Sequence, residues 1–180
     1  MARFVLLLRG VNVGKAKRVP MAELRVLLEG QGCTGVRTLL NSGNAVFDDN
    51  ARSTATLAAK IHAQLLENMA VDVPVVVLTA QALQAAVAGN PIAVDAGQHS
   101  RLLVVFAQER TALAGLASLK ALVRPPERFA IGDNAAYLHC AGGILESRAG
   151  AALLGKAGQA LTTRNWATVL KIAALVAAAQ

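Results

Sequence analysis

The apolar residues of this chain fall into short blocks separated by glycine, asparagine and proline. Residues 4–8 (Phe-Val-Leu-Leu-Leu) form a continuous apolar run of strand length, which predicts a buried strand. Residues 10–19 are polar and glycine-bearing, and predict a loop. Pro20 then suits a first helical turn, and Met21, Leu24, Leu27 and Leu28 recur at helical spacing until Gly30 and Gly32 stop them. Residues 36–40 predict a strand, Asn41-Ser42-Gly43-Asn44 a tight turn, and residues 45–48 the returning strand. Ser53 or Thr54 can cap a long helix striped by Leu57, Ile61, Leu65 and Met69, and residues 73–78 predict the next strand. The order so far is βαββαβ.

The second part of the chain repeats that order. A connector helix over residues 80–88 ends at Gly89-Asn90-Pro91, and residues 102–106 predict a strand. Leu113, Leu116, Leu119 and Leu122 mark a helix stopped by Pro125-Pro126. Residues 129–131 and 136–139 flank Gly132-Asp133-Asn134 as a second hairpin, followed by a helix over about residues 147–161. The last strand of the first half has no evident counterpart. Instead Trp166, Val169, Leu170 and Ala173 stripe a C-terminal helix. The two hairpin turns lie roughly 90 residues apart, as a duplicated unit would place them. The expected fold is therefore α+β, with two tandem split-βαβ (ferredoxin-like) halves and a C-terminal helix. The expected boundaries are 1–79 for the βαββαβ half, and 80–180 for the connector helix, βαββα and terminal helix.

This topology carries functional content. Each βαβ crossover makes its two strands parallel, so the first and second strands end at the same edge of the sheet. The loop after the first strand and the turn after the second should share one rim. That rim gathers Arg9, Asn12, Gly14, Lys15, Lys17, Arg18, Asn41, Ser42, Gly43 and Asn44. It is rich in donors and poor in carboxylates, which suits a phosphate or carboxylate. The same glycines and asparagines also suit turns with positive φ. The loop is not a nucleotide-binding P-loop, because Gly10-Val11-Asn12-Val13-Gly14-Lys15 is one residue short and Ala16 stands where a Mg²⁺-binding hydroxyl would be.

Composition narrows the partners. The chain has 180 residues, 54% of them hydrophobic, which excludes a disordered chain. Only 3% are aromatic, which weighs against stacking recognition of single-stranded nucleic acid. The formal charge is +7, and residues 1–18 carry Arg3, Arg9, Lys15, Lys17 and Arg18 with no acid. Such a balance favours anionic partners or serves solubility. Cys33 and Cys140 form no CxxC pair, and with three scattered histidines they give no metal-ligand spacing. No stretch is long enough to cross a membrane. Arg9 interrupts the first apolar run too early for a signal peptide, so a cytoplasmic setting with free thiols is expected.

Catalytic chemistry has no sequence signature here. Ser42 lacks a base partner, His62 sits in a helical pattern, His99 precedes a strand, and Asp48-Asp49 read as a solvated pair. No catalytic residue, metal or cofactor is assigned. Thr162 or Thr163 can cap the last helix, which places Arg164 and Asn165 in its first turn. A cation there opposes the helix dipole unless an anion is near, which makes Arg164 either a hydrogen-bond clamp or a ligand-binding group.

Three segments carry a resemblance: residues 9–15 (Arg-Gly-Val-Asn-Val-Gly-Lys), residues 41–47 (Asn-Ser-Gly-Asn-Ala-Val-Phe) and residues 162–169 (Thr-Thr-Arg-Asn-Trp-Ala-Thr-Val). In this order they resemble the signature blocks of the domain of unknown function 1697 family. Ser147-Arg148 resembles that family's Ser-Lys pair. Where the family's first block often runs on as a GGKN-like stretch, this chain has Lys15-Ala16-Lys17-Arg18. The resemblance implies a small bacterial α+β protein, and brings no reaction, cofactor or catalytic residue.

The leading expectation is binding of an anionic, phosphate-bearing small molecule or nucleotide at the rim, with Arg164 and Asn165 as further candidates. The alternatives are sequence-independent nucleic-acid binding through backbone charge, an enzyme with a site between the two halves, and an oligomeric partner protein with no small ligand.

Overall fold

The structure, a computed structural model, describes residues 1–178. In chain order the elements are β1 (Ala2–Leu8), α1 (Met21–Gly30), β2 (Thr34–Leu39), β3 (Asn44–Asp49), α2 (Thr54–Met69), β4 (Val75–Thr79), α3 (Ala80–Ala88), β5 (Leu102–Ala107), α4 (Arg110–Ala114), β6 (Arg128–Ile131), β7 (Ala136–His139), α5 (Arg148–Leu154), β8 (Leu161–Asn165) and α6 (Trp166–Ala178). They group into unit 1, Met1–Leu83 with residues 174–178, and unit 2, Gln84–Ala173. Each unit contains one four-stranded sheet, in the orders β2-β3-β1-β4 and β6-β7-β5-β8. Every neighbouring pair is antiparallel. The fold is thus α+β, with two tandem split-βαβ units.

In unit 1 alternation along β1 turns Phe4, Leu6 and Leu8 toward the helices. They pack with Phe47 of β3, Leu24 and Leu28 of α1, and Ile61 and Leu65 of α2. Phe4 and Phe47 are register partners, with ring centroids 6.0 Å apart. Val5 and Leu7 on the opposite face are also buried, which accounts for the unbroken apolar run. Ser53 caps α2, its Oγ accepting from the Thr56 N–H at 3.2 Å. Asp48 and Asp49 are not a solvated pair. Arg3 clamps Asp48 through Nε and Nη2 at 3.0 and 3.2 Å, and Asp49 accepts from the Ala51 N–H at 2.6 Å.

Unit 2 departs from the sequence reading in three places. Leu113, Leu116, Leu119 and Leu122 do not lie on one α-helix. The chain makes the short α4 and then a 3-10 helix over Gly115–Leu122. The strict spacing of three is the 3-10 period, which keeps Leu113, Leu116 and Leu119 in the core. The helix expected over residues 147–161 stops at Leu154, where Gly155 takes a conformation outside the helical region. The chain then forms β8, the missing fourth strand, at the sheet edge beside β5. β8 reads Leu-Thr-Thr-Arg-Asn, with no apolar alternation to announce it.

The third departure is the start of α6. Neither Thr162 nor Thr163 caps it, because both lie in β8. Asn165 does so, its Oδ1 accepting from the Thr168 N–H at 2.9 Å. The buried stripe of α6 is Val169, Ile172 and Val176, while Trp166 is half-buried.

Candidate functional site

β1 and β2 both pair antiparallel with β3, so they point the same way and their C-terminal ends share one edge. The loop after β1 and the turn after β2 meet there, and Asn12 is the link. Its Nδ2 donates to Val19 O at 2.8 Å and to Asn41 O at 2.6 Å, and its Oδ1 accepts from the Val19 N–H at 2.8 Å. Its backbone N–H donates to Lys17 O at 3.1 Å. The amide of Asn12 thereby closes the loop on itself and ties it to the turn. Both Nδ2 donors and Oδ1 are engaged, so Asn12 shapes the rim rather than offering donors to a ligand.

Positive φ at Gly10, Asn12, Gly14 and Lys17 curls the loop. Lys15, Lys17 and Arg18 end up exposed on it. A depression of about 270 Å³ is lined by Asn12, Gly14, Arg18, Val19, Pro20 and Asn41. Pro20 also precedes α1 and gives its first turn no side-chain cap. Arg9 is half-buried where β1 ends, its backbone N–H donating to Pro74 O at 3.1 Å, and burial lowers its pKa.

The turn is built by Gly43 and Asn44. Gly43 has φ +75°, and a Cβ there would stand 2.6 Å from Leu8 Cβ. Its carbonyl accepts from the Leu8 N–H at 2.8 Å, which seats the turn on the end of β1. Asn44 is buried and donates from Nδ2 to Leu39 O and Ser42 Oγ, both at 2.9 Å. Ser42 is exposed and engaged within its own turn. The structure therefore brings Asn12, Gly14 and Asn41 together around one depression, with Lys15 on the same loop. Gly43 and Asn44 form the scaffold beneath. Val19 and Pro20 were missed as lining residues. Their sequence signal was the proline at the loop-to-helix junction.

Arg164 and Asn165 lie in unit 2, on β8 rather than in a helical turn. Arg164 is 8% exposed, and its Nη1 donates to Thr162 Oγ1 and Thr163 O, both at 2.8 Å. Burial brings its pKa down to about 10. Hydrogen bonds within β8 thus hold the guanidinium, and the dipole conflict expected from a helical position does not arise.

Among the described residues, no group of three or more His, Cys, Asp or Glu side chains could hold a metal ion. None of the described helices is long and apolar enough to cross a membrane.

Two tandem ferredoxin-like units, the first with a clamped basic loop over a glycine-seated turn, define the class of protein structurally. Within that class the chain belongs to the family described as "Protein of unknown function (DUF1697)", which matches residues 1–137. Among solved structures it is similar to conserved bacterial protein SP0830 from Streptococcus pneumoniae, with a TM-score of 0.81 and 24% identity over 97% of this chain and 98% of that one. That likeness shows the fold. No curated protein matches the chain.

Proposed function

We propose that the rim of unit 1 binds a phosphate-bearing small molecule or nucleotide. One observation supports this above others: a loop clamped by Asn12 lines a depression with Arg18, carries Lys15 and Lys17 exposed beside it, and meets the start of α1 there. No acid occurs among residues 1–18 to neutralise that charge, and Glu23 is the acid in the first turn of α1. Three charge-assisted hydrogen bonds supply about 5–9 kcal/mol gross. Association costs at least about 4 kcal/mol, so phosphate alone binds weakly and a tight ligand makes further contacts. The reading rests on unit 1 alone, because Arg164 and Asn165 are engaged in their own strand and cap. A cytoplasmic setting belongs to the same proposal, and it would keep the buried thiols of Cys33 and Cys140 reduced.

Inorganic pyrophosphate is a suitable first probe. A ligand at a hundred times its Kd stabilises the folded state by about 2.7 kcal/mol, a rise of several degrees in Tm. The wild type should show that rise, and Lys15→Ala combined with Arg18→Ala should abolish it while leaving the unliganded Tm unchanged. An equal rise in both proteins overturns the reading. Sequence-independent nucleic-acid binding draws on the same charges and separates cleanly by salt. Affinity for unrelated duplexes would then fall steeply with added salt, and pyrophosphate would act only as a competitor.

A further inference from the structure

Unit 2 holds a second cavity, of about 350 Å³, lined by Ala93, Val94, Asp95, Gln98, Arg128 and His139. None of these residues belongs to the rim. His139 ends β7, paired with Leu102 of β5 on one side and Arg128 of β6 on the other. It is 7% exposed, and its Nε2 lies 3.2 Å from Gln98 Oε1. With that oxygen as acceptor, Nε2 carries the proton of the neutral ring and Nδ1 presents a lone pair. Nδ1 is buried and meets no protein partner, an uncommon state for a histidine so deeply placed.

The charges around the imidazole are mixed. Arg128 from β6 and Arg101 from the turn before β5 oppose its protonation, while Glu127 favours it. Burial is the largest influence, and the balance holds the pKa below the ordinary histidine value. Arg128 is exposed, and Nη2 donates to Ala93 O at 2.9 Å. A guanidinium has five N–H donors, so this bond leaves others for a ligand. Arg101 turns Nη1 to Ala141 O at 2.6 Å. Asp95, exposed, also lines the cavity.

We propose that this cavity binds a small carboxylate anion on Arg128, and that binding is coupled to protonation of His139. An anion beside Arg128 offsets the positive charge that adds to burial in disfavouring the imidazolium. Reciprocity then requires protonation to tighten the anion by the same factor. Asp95 disfavours multiply charged ions, which selects a single carboxylate, and the Gln98 amide nitrogen supplies a second donor.

Formate tests this, because its charge is constant from about pH 8 down to about pH 5, the range in which histidine titrates. Histidine resonances are followed by NMR through that range with and without formate. Formate should raise the His139 midpoint, and its Kd should fall by at least about threefold from the upper to the lower pH. Both effects should vanish in Arg128→Gln and persist in Lys15→Ala, which separates this cavity from the rim. In His139→Gln, formate affinity should no longer depend on pH. Should that variant fail to fold, the exposed Arg128 position still carries the test. A His139 midpoint unmoved by formate, or a shift that survives Arg128→Gln, overturns the proposal.

Discussion

Two glycines of the rim region have positive φ for different reasons, and they separate backbone strain from steric exclusion. At Gly14 (φ +70°) a Cβ would meet nothing within 4 Å, whereas at Gly43 (φ +75°) it would press on Leu8 Cβ and on Val11 Cγ2 at 2.9 Å. Gly14→Ala therefore carries only the left-handed penalty, about 1–2 kcal/mol. Gly43→Ala adds a clash with buried side chains of β1 and the loop, and should cost about 2–4 kcal/mol. Urea denaturation of the two variants checks this. Equal losses would mean that the turn does not seat on β1 as described. The asparagines nearby follow the same division of labour. Asn12 and Asn44 spend their amides on backbone carbonyls, so the lysines and Arg18 are the rim groups that project outward.

At the level of elements, the start of α6 gives a direct comparison between two candidate caps. Asn165 accepts from the Thr168 N–H, while Thr163 is an ordinary strand residue whose register partner is Val105. Asn165→Ala should lose about 1 kcal/mol of stability. Thr163→Ala should stay within about 0.5 kcal/mol, as a substitution away from any cap or core contact does. The reverse order of losses would restore the threonine cap. Much of the fold was legible because periodicity and turn chemistry agreed. The continuous run of β1, the Leu57–Ile61–Leu65 stripe of α2 and the two hairpin turns each admit one reading. β8 was hidden because an edge strand of threonine, arginine and asparagine carries no apolar period, and its loss displaced Arg164 and Asn165 into a helix. The leucines after Leu113 misled for another reason. A spacing of three serves a loose α stripe and a 3-10 helix equally well, and the sequence contains nothing that chooses. That the loop after β1 and the turn after β2 share one edge was legible from strand direction alone. The His139 cavity was not, since its lining comes from a loop, a 3-10 turn and two strands with no shared motif.

Across the whole chain, buried titratable groups bound the pH range in which the folded state keeps its full stability. His139 is held below its ordinary value of 6.5, first by burial and then by Arg128 and Arg101. The unfolded chain therefore binds the extra proton first on acidification. The contribution of His139 is complete above about pH 6.5 and is lost as pH falls through its folded value. On the alkaline side, burial and the carboxylate of Asp49 push the Cys33 thiol from 9.0 up to about 12, and burial pushes the Tyr137 phenol from 10.0 up to about 12. Burial raises Cys140 as well. The folded state keeps these groups neutral while the unfolded chain ionises them. Their contribution is complete below about pH 9 and is lost progressively toward pH 12. Tyr137 is also tied through its hydroxyl, which donates to Ala86 O at 2.5 Å. Urea midpoints across pH should form a plateau between about pH 6.5 and 9, with an alkaline slope of about 1.4 kcal/mol per pH unit for each group that ionises only on unfolding. Tyr137→Phe should lower the plateau by about 1 kcal/mol, through the lost hydrogen bond, and flatten the slope above about pH 10. A wild-type midpoint that stays level through pH 11 would show that these side chains ionise without unfolding, and that the interior holding them opens to water.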